Sequence, residues 1–322
     1  RSSARDLNYV EPYEHDATSF EESLDRSLAK QVYAHVPVGL QLSGGADSTL
    51  IAASLAQAGA RNLQCFVGTL DSESLDEWRF AEANAKLMGI PVPIRVPLTP
   101  DSFSEELFSS FGAVDPAYSH PNFFAVKRLA RVARSQGIRV LLCGEGADEL
   151  FRGYTRLLPG NALSLVSQSL GERITRSVDG RRLNFDWARN RESAKFSIGS
   201  SGASYSWVRL GATRHLFANY LHELLYRQNI AGMAHSVEVR PPMLGFDVVA
   251  YSLSHPRSFF SFAGCRPVFT KGVIRSALRK RLPGYSGPLR KRGFGMPLCR
   301  FFQGDSREIL KVSLGFSRDA LG

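Results

Sequence analysis

Phe20, Leu24, Leu28 and Val32 recur every four residues, which predicts a helix with one apolar face. Ser19 followed by Glu22 reads as a capping box at its start, and Pro37 closes the segment. The period then changes to two. Val38, Leu40 and Leu42 alternate as in a strand, and after a Ser/Gly turn a helix is expected from Thr49 to Ala58. The plan repeats. Leu63 to Leu70 reads as a strand, and Asp76 to Met88 as a helix with Trp78, Ala81, Ala85 and Met88 on one face. Asp76 and Glu77 fall in its first turn, where the helix dipole favours acids, and Gly89 and Pro91 stop it. Ile90 to Leu98 is a third strand. Asn122 to Ser135 is a helix with a basic face (Lys127, Arg128, Arg131, Arg134), and Arg139 to Cys143 is a fourth strand. Strands alternating with helices predict an α/β fold, a parallel sheet with helices on both faces. Ligands of such sheets bind beyond the C-terminal strand ends.

Past about residue 155 apolar helical segments dominate: Leu163 to Leu170, Trp207 to Met233, Val248 to Leu253 and Val273 to Leu282. They are interrupted by an arginine-rich stretch from Arg173 to Arg191 and by Gly199-Ser200-Ser201-Gly202, a flexible loop signal. The expected organisation is an N-terminal arm (residues 1–18), an α/β nucleotide-binding core (19–155) and a mainly helical C-terminal part (156–322) that completes the domain.

Composition changes this picture little. The 322 residues are 43% hydrophobic, ample for a sizeable core. A net charge of +10 suits anionic partners without choosing among them. Cys65, Cys143, Cys265 and Cys299 form no CxxC pair, which argues against a zinc or iron–sulfur site. Cys65 and Cys143 lie in apolar strands and read as buried thiols, as a reducing cytoplasm would have them. No apolar run is long enough to span a bilayer, and a cytoplasmic location is expected.

The candidate chemistry sits at two strand ends. Leu42-Ser43-Gly44-Gly45-Ala46-Asp47-Ser48 runs from a strand into a helix. Glycines allow a sharp bend and close ligand approach, and the free N–H groups that open a helix suit phosphate. Asp47 conflicts with a phosphate unless a cation lies between them, which suggests Mg²⁺. The plainer reading is a tight turn with Asp47 or Ser48 as N-cap. After the fourth strand comes Gly144-Glu145-Gly146-Ala147-Asp148-Glu149-Leu150-Phe151-Arg152-Gly153-Tyr154. Glu145 and Asp148 could share one face of a helical turn, Asp148 could join Asp47 on one Mg²⁺, and Glu145 could act as a base or orient an amine. Read alone, the cluster is more simply a strand-to-helix turn whose acids complement the helix dipole.

Together these stretches resemble the synthetase domain of the asparagine synthetase family, a group that includes β-lactam synthetases and lasso-peptide cyclases. Val36-Pro37-Val38-Gly39 before the loop resembles the family's lead-in. Met233 to Pro242 (MAHSVEVRPP), Lys271 to Arg275, and Arg290 to Leu298 resemble its later signatures, in order, from about residue 20 to 310. The resemblance implies an adenine-nucleotide α-hydrolase-like fold and the use of ATP and Mg²⁺ to adenylate a carboxylate, with pyrophosphate released and an amine forming the amide. It implies nucleotide contacts at Leu42, Ser43, Gly44, Gly45, Asp47, Ser48, Val67, Gly68, Gly144 and Lys291, and metal ligands at Asp47 and Asp148. Glu145 would face the acyl-adenylate or the amine, and Lys271 would neutralise charge on the reacting phosphate. Lys271 read alone is a solvated helix lysine, and Lys291 belongs equally well to a surface basic cluster.

The departures bear on the substrate. The glutamine-using members open with an amidohydrolase domain whose nucleophile is an N-terminal cysteine, whereas Arg1 opens this sequence. The expected partners are a small-molecule or peptide carboxylate and an amine, with a separate glutaminase, a leader-peptide-binding protein or another biosynthetic partner as further candidates; membrane and nucleic acid are not expected. Arg152 replaces a common glycine, Pro242 to Asp247 alters the usual Pro-Phe-Leu-Asp run, and Gln228 stands where many members carry an acid. A macrolactam or β-lactam-type cyclase and a tRNA-modifying ATPase with the same loop are the alternatives.

Overall fold

A computed structural model describes residues 19–70, 77–110, 122–151, 153, 221–255, 260–263, 266–285 and 287. Helix α1 (Phe20–Val32) starts at Ser19, whose Oγ accepts the Glu22 N–H at 3.1 Å; the Glu22 carboxylate pairs with Arg26 at 2.8 Å. Then follow β1 (Val38–Gln41), α2 (Ala46–Gln57), β2 (Gln64–Leu70), α3 (Trp78–Met88), β3 (Ile94–Leu98), α4 (Pro100–Phe108), α5 (Phe123–Ser135), β4 (Val140–Leu142) and the short α6 (Ala147–Phe151). Further on lie α7 (His222–Met233), β5 (Glu238–Arg240), a 3₁₀ turn (Pro242–Leu244), α8 (Phe246–Ser254), the hairpin β6 (Phe260–Ala263) and β7 (Arg266–Thr270), and α9 (Gly272–Arg281).

The sheet has the order β3-β2-β1-β4-β5, and every pair is parallel. Its two faces carry different cores, because successive strand residues point to opposite sides. Leu40, Leu42, Cys65, Val67 and Leu142 pack with α1, α2 and α3. Phe66, Val96, Leu141 and Val237 pack with Leu129, Ala130 and Ala133 of α5. Chain order runs outward from β1 to β3, then crosses back to place β4 on the other side of β1. The β1–β4 border is therefore where strand order reverses, the place where such sheets open a crevice at their C-terminal ends.

The expected strands and helices of the first 150 residues are present, with local shifts. Helix α2 begins at Ala46, three residues before the expected Thr49, because Gly45 is its N-cap; Asp47 and Ser48 lie in the first turn. Helix α3 begins at Trp78, so Glu77 precedes it and the expected acidic first turn is not formed there. Four elements and the 3₁₀ turn lay outside the sequence reading. One is α4, capped by Thr99, which accepts the Ser102 N–H, with Pro100 at its first position. The others are β5, a strand of three residues too short to show a period, and the β6–β7 hairpin. The arm, the Arg173–Arg191 stretch, the 199–202 loop, Arg152, Cys265, Cys299 and Lys291 lie outside the described residues.

Candidate active site at the C-terminal end of the sheet

The loop after β1 is tied down by its own side chains. Leu42 donates its N–H to the Phe66 carbonyl at 2.9 Å, which carries the sheet one residue past the strand. The Ser43 N–H donates to Ser48 Oγ at 3.1 Å, and the two hydroxyls lie 3.1 Å apart. Gly44 has φ +72°, and a Cβ there would come within 2.9 Å of the Glu77 carbonyl, so conformation and space both require glycine. The Tyr285 hydroxyl donates to the Gly44 carbonyl at 3.2 Å, tying the loop to a residue 241 positions further along the chain. Burial and the nearby Asp47 charge push the Tyr285 phenol well above its ordinary value, which keeps it a donor.

The loop after β4 meets the first one directly. A Cβ on Gly144 would sit 3.3 Å from both Asp47 Cβ and the Ser48 nitrogen. Glu145 lies ahead of α6 and Asp148 within it, so the single helical face expected for the pair does not form. The two acids serve different partners. Glu145 Oε1 accepts from Arg227 Nη2 at 2.6 Å and from Gln228 Nε2 at 3.1 Å, both on α7. Gln41 Nε2, at the end of β1, donates to Gln228 Oε1 at 3.2 Å. Asp148 instead faces Lys271, whose Nζ is 2.7 Å from Asp148 Oδ1 and 2.5 Å from Asp47 Oδ2.

Lys271 is thus no surface lysine. It is 6% exposed and caps α9 in the left-handed region at φ +56°. Its own N–H donates to the Phe151 carbonyl at 3.2 Å, fixing α9 against α6. Burial works against the ammonium, but Asp47 and Asp148 outweigh it and hold its pKa above the ordinary value. Gly153 closes over the trio: a Cβ there would overlap Asp148 Oδ1 and Lys271 Cε. The site therefore joins Asp47 from the β1 end, Asp148 from the β4 end and Lys271 from α9.

The other expected residues fall as follows. Leu42 and Val67 are 1% exposed and pack in the core, so only their backbones could face a ligand. Among the described residues a Cβ on Gly68 would meet only Leu129, at 4.0 Å. Among the described residues no group of three or more His, Cys, Asp or Glu could hold a metal ion. The two carboxylates fit Mg²⁺ only in the manner Mg²⁺ commonly adopts beside nucleotides, with phosphate oxygens and water completing the shell. Gln41, Arg227, Gly153 and Tyr285 were missed as site residues. Arg227 and Gln228 carried a signal: they share a helical stripe with the buried Leu224 and Ala231, where polar residues need partners. Gly153 stood in the second acidic cluster, and Tyr285 lies between glycines in a stretch without periodicity.

The fold and site define an α/β protein with paired carboxylates and a buried lysine at the switch point of a parallel sheet. The chain belongs to the asparagine synthase family, whose sequence profile, described as "Asparagine synthase", matches residues 19–319. A Mycobacterium bovis protein named "Putative asparagine synthetase (glutamine-hydrolyzing)" is 28% identical over 92% of this chain and 50% of its own length. A glutamine-hydrolyzing asparagine synthetase of Bacillus subtilis is 34% identical over 40% of this chain and 20% of its own length. The chain spans about half the length of the first of these relatives. Among solved structures, a U34-tRNA thiolase from Methanococcus maripaludis with its [4Fe-4S] cluster covers 83% of this chain, and 75% of its own, at 15% identity and a TM-score of 0.34.

Proposed function

We propose that the chain is an ATP-dependent, AMP-forming carbon–nitrogen ligase that makes an amide through an acyl-adenylate. The observation that carries this reading is the convergence of Asp47 and Asp148, from two strand ends, on the buried Lys271. A carboxylate oxygen of the substrate attacks the α-phosphorus of ATP, the α–β anhydride bond breaks, and pyrophosphate leaves. An amine then attacks the acyl carbon, and AMP leaves. Asp47 and Asp148 would hold Mg²⁺, which when bound would supply positive charge to neutralise the departing pyrophosphate. Ser43, Gly44, Gly45 and Ser48 cradle its oxygens with N–H and hydroxyl donors at the start of α2. Lys271 offers a cation already in place where negative charge develops.

Glu145 faces the second half of the reaction. Arg227 and Gln228 hold Oε1, so among the described residues Oε2 is the oxygen left to accept a proton from the attacking amine. The acyl substrate and the amine define the subtype, whether asparagine-forming or a cyclase acting on one molecule that carries both groups. The test is incubation of the full chain with ATP, Mg²⁺ and a panel of carboxylates, with and without ammonia or amines, measuring pyrophosphate and AMP. Pyrophosphate and AMP in equal amounts, dependent on one acid, are expected. ADP and orthophosphate as the products would overturn the reading.

A further inference from the structure

The position of Lys271 bears on how the site is loaded, on the reading that Asp47 and Asp148 take the divalent cation. Its ammonium sits between their two carboxylates at 2.5 and 2.7 Å, with a side chain 7% exposed. That is the place a bridging cation would take. Gly153 packs on the same atoms so closely that a single added carbon would overlap Asp148 Oδ1 and Lys271 Cε. Gly153 covers one side of the ammonium, and a +1 and a +2 charge sharing the same two carboxylates repel. Among the described residues a bare divalent ion would gain only two carboxylates, with water filling the rest of its shell, and would have to expel the lysine's charge from its partners.

We propose that Lys271 holds the cation's place, so that divalent metal enters this site only together with nucleotide. The phosphates supply the missing oxygen ligands and also give the displaced ammonium a new anionic partner. Lys271 exchanges carboxylates for phosphate as the metal arrives. It is thereby a loading control as well as a charge poised for chemistry, and metal and ATP bind as one unit.

Mn²⁺ tests this by electron paramagnetic resonance, without turnover. Binding to the full chain is measured alone and with α,β-methylene-ATP, corrected for metal held by the free analogue, for wild type, Lys271→Met and Lys271→Arg. Wild type should bind Mn²⁺ at least tenfold more tightly with the analogue than without it. Lys271→Met should bind Mn²⁺ alone at least tenfold more tightly than wild type, and adding Asp47→Asn should remove the gain. Lys271→Arg, which keeps the charge, should resemble wild type. The inference is overturned if wild type binds Mn²⁺ equally well with and without the analogue, a result that does not depend on any variant folding. It is also overturned if Lys271→Met, retaining analogue binding, shows no gain while wild type loads with the analogue; the metal assignment then survives. Wild type that takes no Mn²⁺ even with the analogue removes the metal assignment itself.

Discussion

Two lysines of this chain are buried to nearly the same degree, Lys127 at 2% exposed and Lys271 at 6%, yet their surroundings differ in kind. Lys127 reaches from α5 to the end of α4. Its Nζ donates to the Glu106 carbonyl at 3.0 Å, Ser109 Oγ at 2.7 Å and Ser110 Oγ at 2.8 Å, and lies 3.6 Å from the Glu106 carboxylate. These partners are close in sequence and mostly neutral, and the ammonium complements the C-terminal pole of α4. Lys271 has two charged partners drawn from two strand ends. Burial lowers the Lys127 pKa, with Glu106 opposing and Arg131 adding to the fall, whereas the two aspartates raise that of Lys271 despite its burial. The first lysine satisfies a helix end. The second compensates two acids that would repel each other without it, an arrangement expected of a site built for charge rather than for packing.

The largest expected effect separates these roles. Lys271→Met should lower pyrophosphate release by about 10²–10³-fold, the scale of removing one preorganised charge-stabilising group, while the protein stays folded. Lys127→Met should leave the rate per folded molecule within about threefold but cost about 1–3 kcal/mol in urea unfolding. That is below the usual cost of breaking a buried pair, because Arg128 and Arg131 stay within 3.7 and 3.4 Å of Glu106. A Lys127→Met enzyme as inactive as Lys271→Met would erase the distinction.

Next in size is Gly153→Ala. Its methyl group would overlap Asp148 Oδ1 and Lys271 Cε, so the trio must spread or the α6 end must shift. A displacement of about an ångström costs on the order of 10² in rate, so steady-state turnover should fall to near the Lys271→Met level while unfolding stability changes by only about 1–2 kcal/mol. Unchanged turnover would mean that the backbone yields there freely.

The same contrast marks what could be read from the residues alone. The serine–glycine loop and the second acidic cluster were visible because conformation and charge there depart from what a strand-to-helix turn needs. Strand β1 was visible by its alternation, and β2, β3 and β4 as short strand-like runs. Lys271 was legible only through resemblance; nothing in its neighbours announces a left-handed cap facing two acids 123 and 224 positions away, since burial of a lysine is a tertiary fact. The basic face of α5 was read correctly as a stripe. That Lys127 is buried could not be read, because its cover is α4, whose start signal (Thr99, Pro100, Ser102) was overlooked. Glu145 and Asp148 were paired by spacing, and the short α6 separates them by beginning at Ala147, two residues past Glu145.

The pH dependence of stability should show opposite signs for the two lysines. The Lys271 pKa lies above its ordinary 10.5 in the folded protein, so its contribution is complete below pH 10.5 and is lost as pH rises through the raised value. The Lys127 pKa lies below 10.5, so the unfolded chain binds the extra proton in the window between that lowered value and 10.5, and stability rises with pH across it. Urea unfolding between pH 9 and 11.5 should therefore show the wild-type advantage over Lys127→Met growing towards pH 10.5. The advantage over Lys271→Met should be level there and shrink above it. Parallel trends in the two variants would refute the contrast.

The smallest effect tests whether the Lys127 cluster depends on the ion pairs at its rim. Glu105, on α4, receives Arg128 Nη1 at 2.8 Å and also pairs with Arg131, but it is 53% exposed. The hydrogen bond from Arg131 keeps its carboxyl below the usual range, against the small opposing effect of burial. Solvent screens such pairs, so Glu105→Gln should cost about 0.5 kcal/mol, a fall of about 1–2 °C in Tm, and less in 1 M salt. Both arginines also lie near the buried Glu106, and loss of Glu105 frees them to draw closer to it. In the Lys127→Met background, where Glu106 has lost its buried cation, Glu105→Gln should therefore cost less than it does alone. A larger cost in that background would show instead that Glu105 holds the arginines in place for Glu106, so that the rim supports the buried charge rather than competing for its partners.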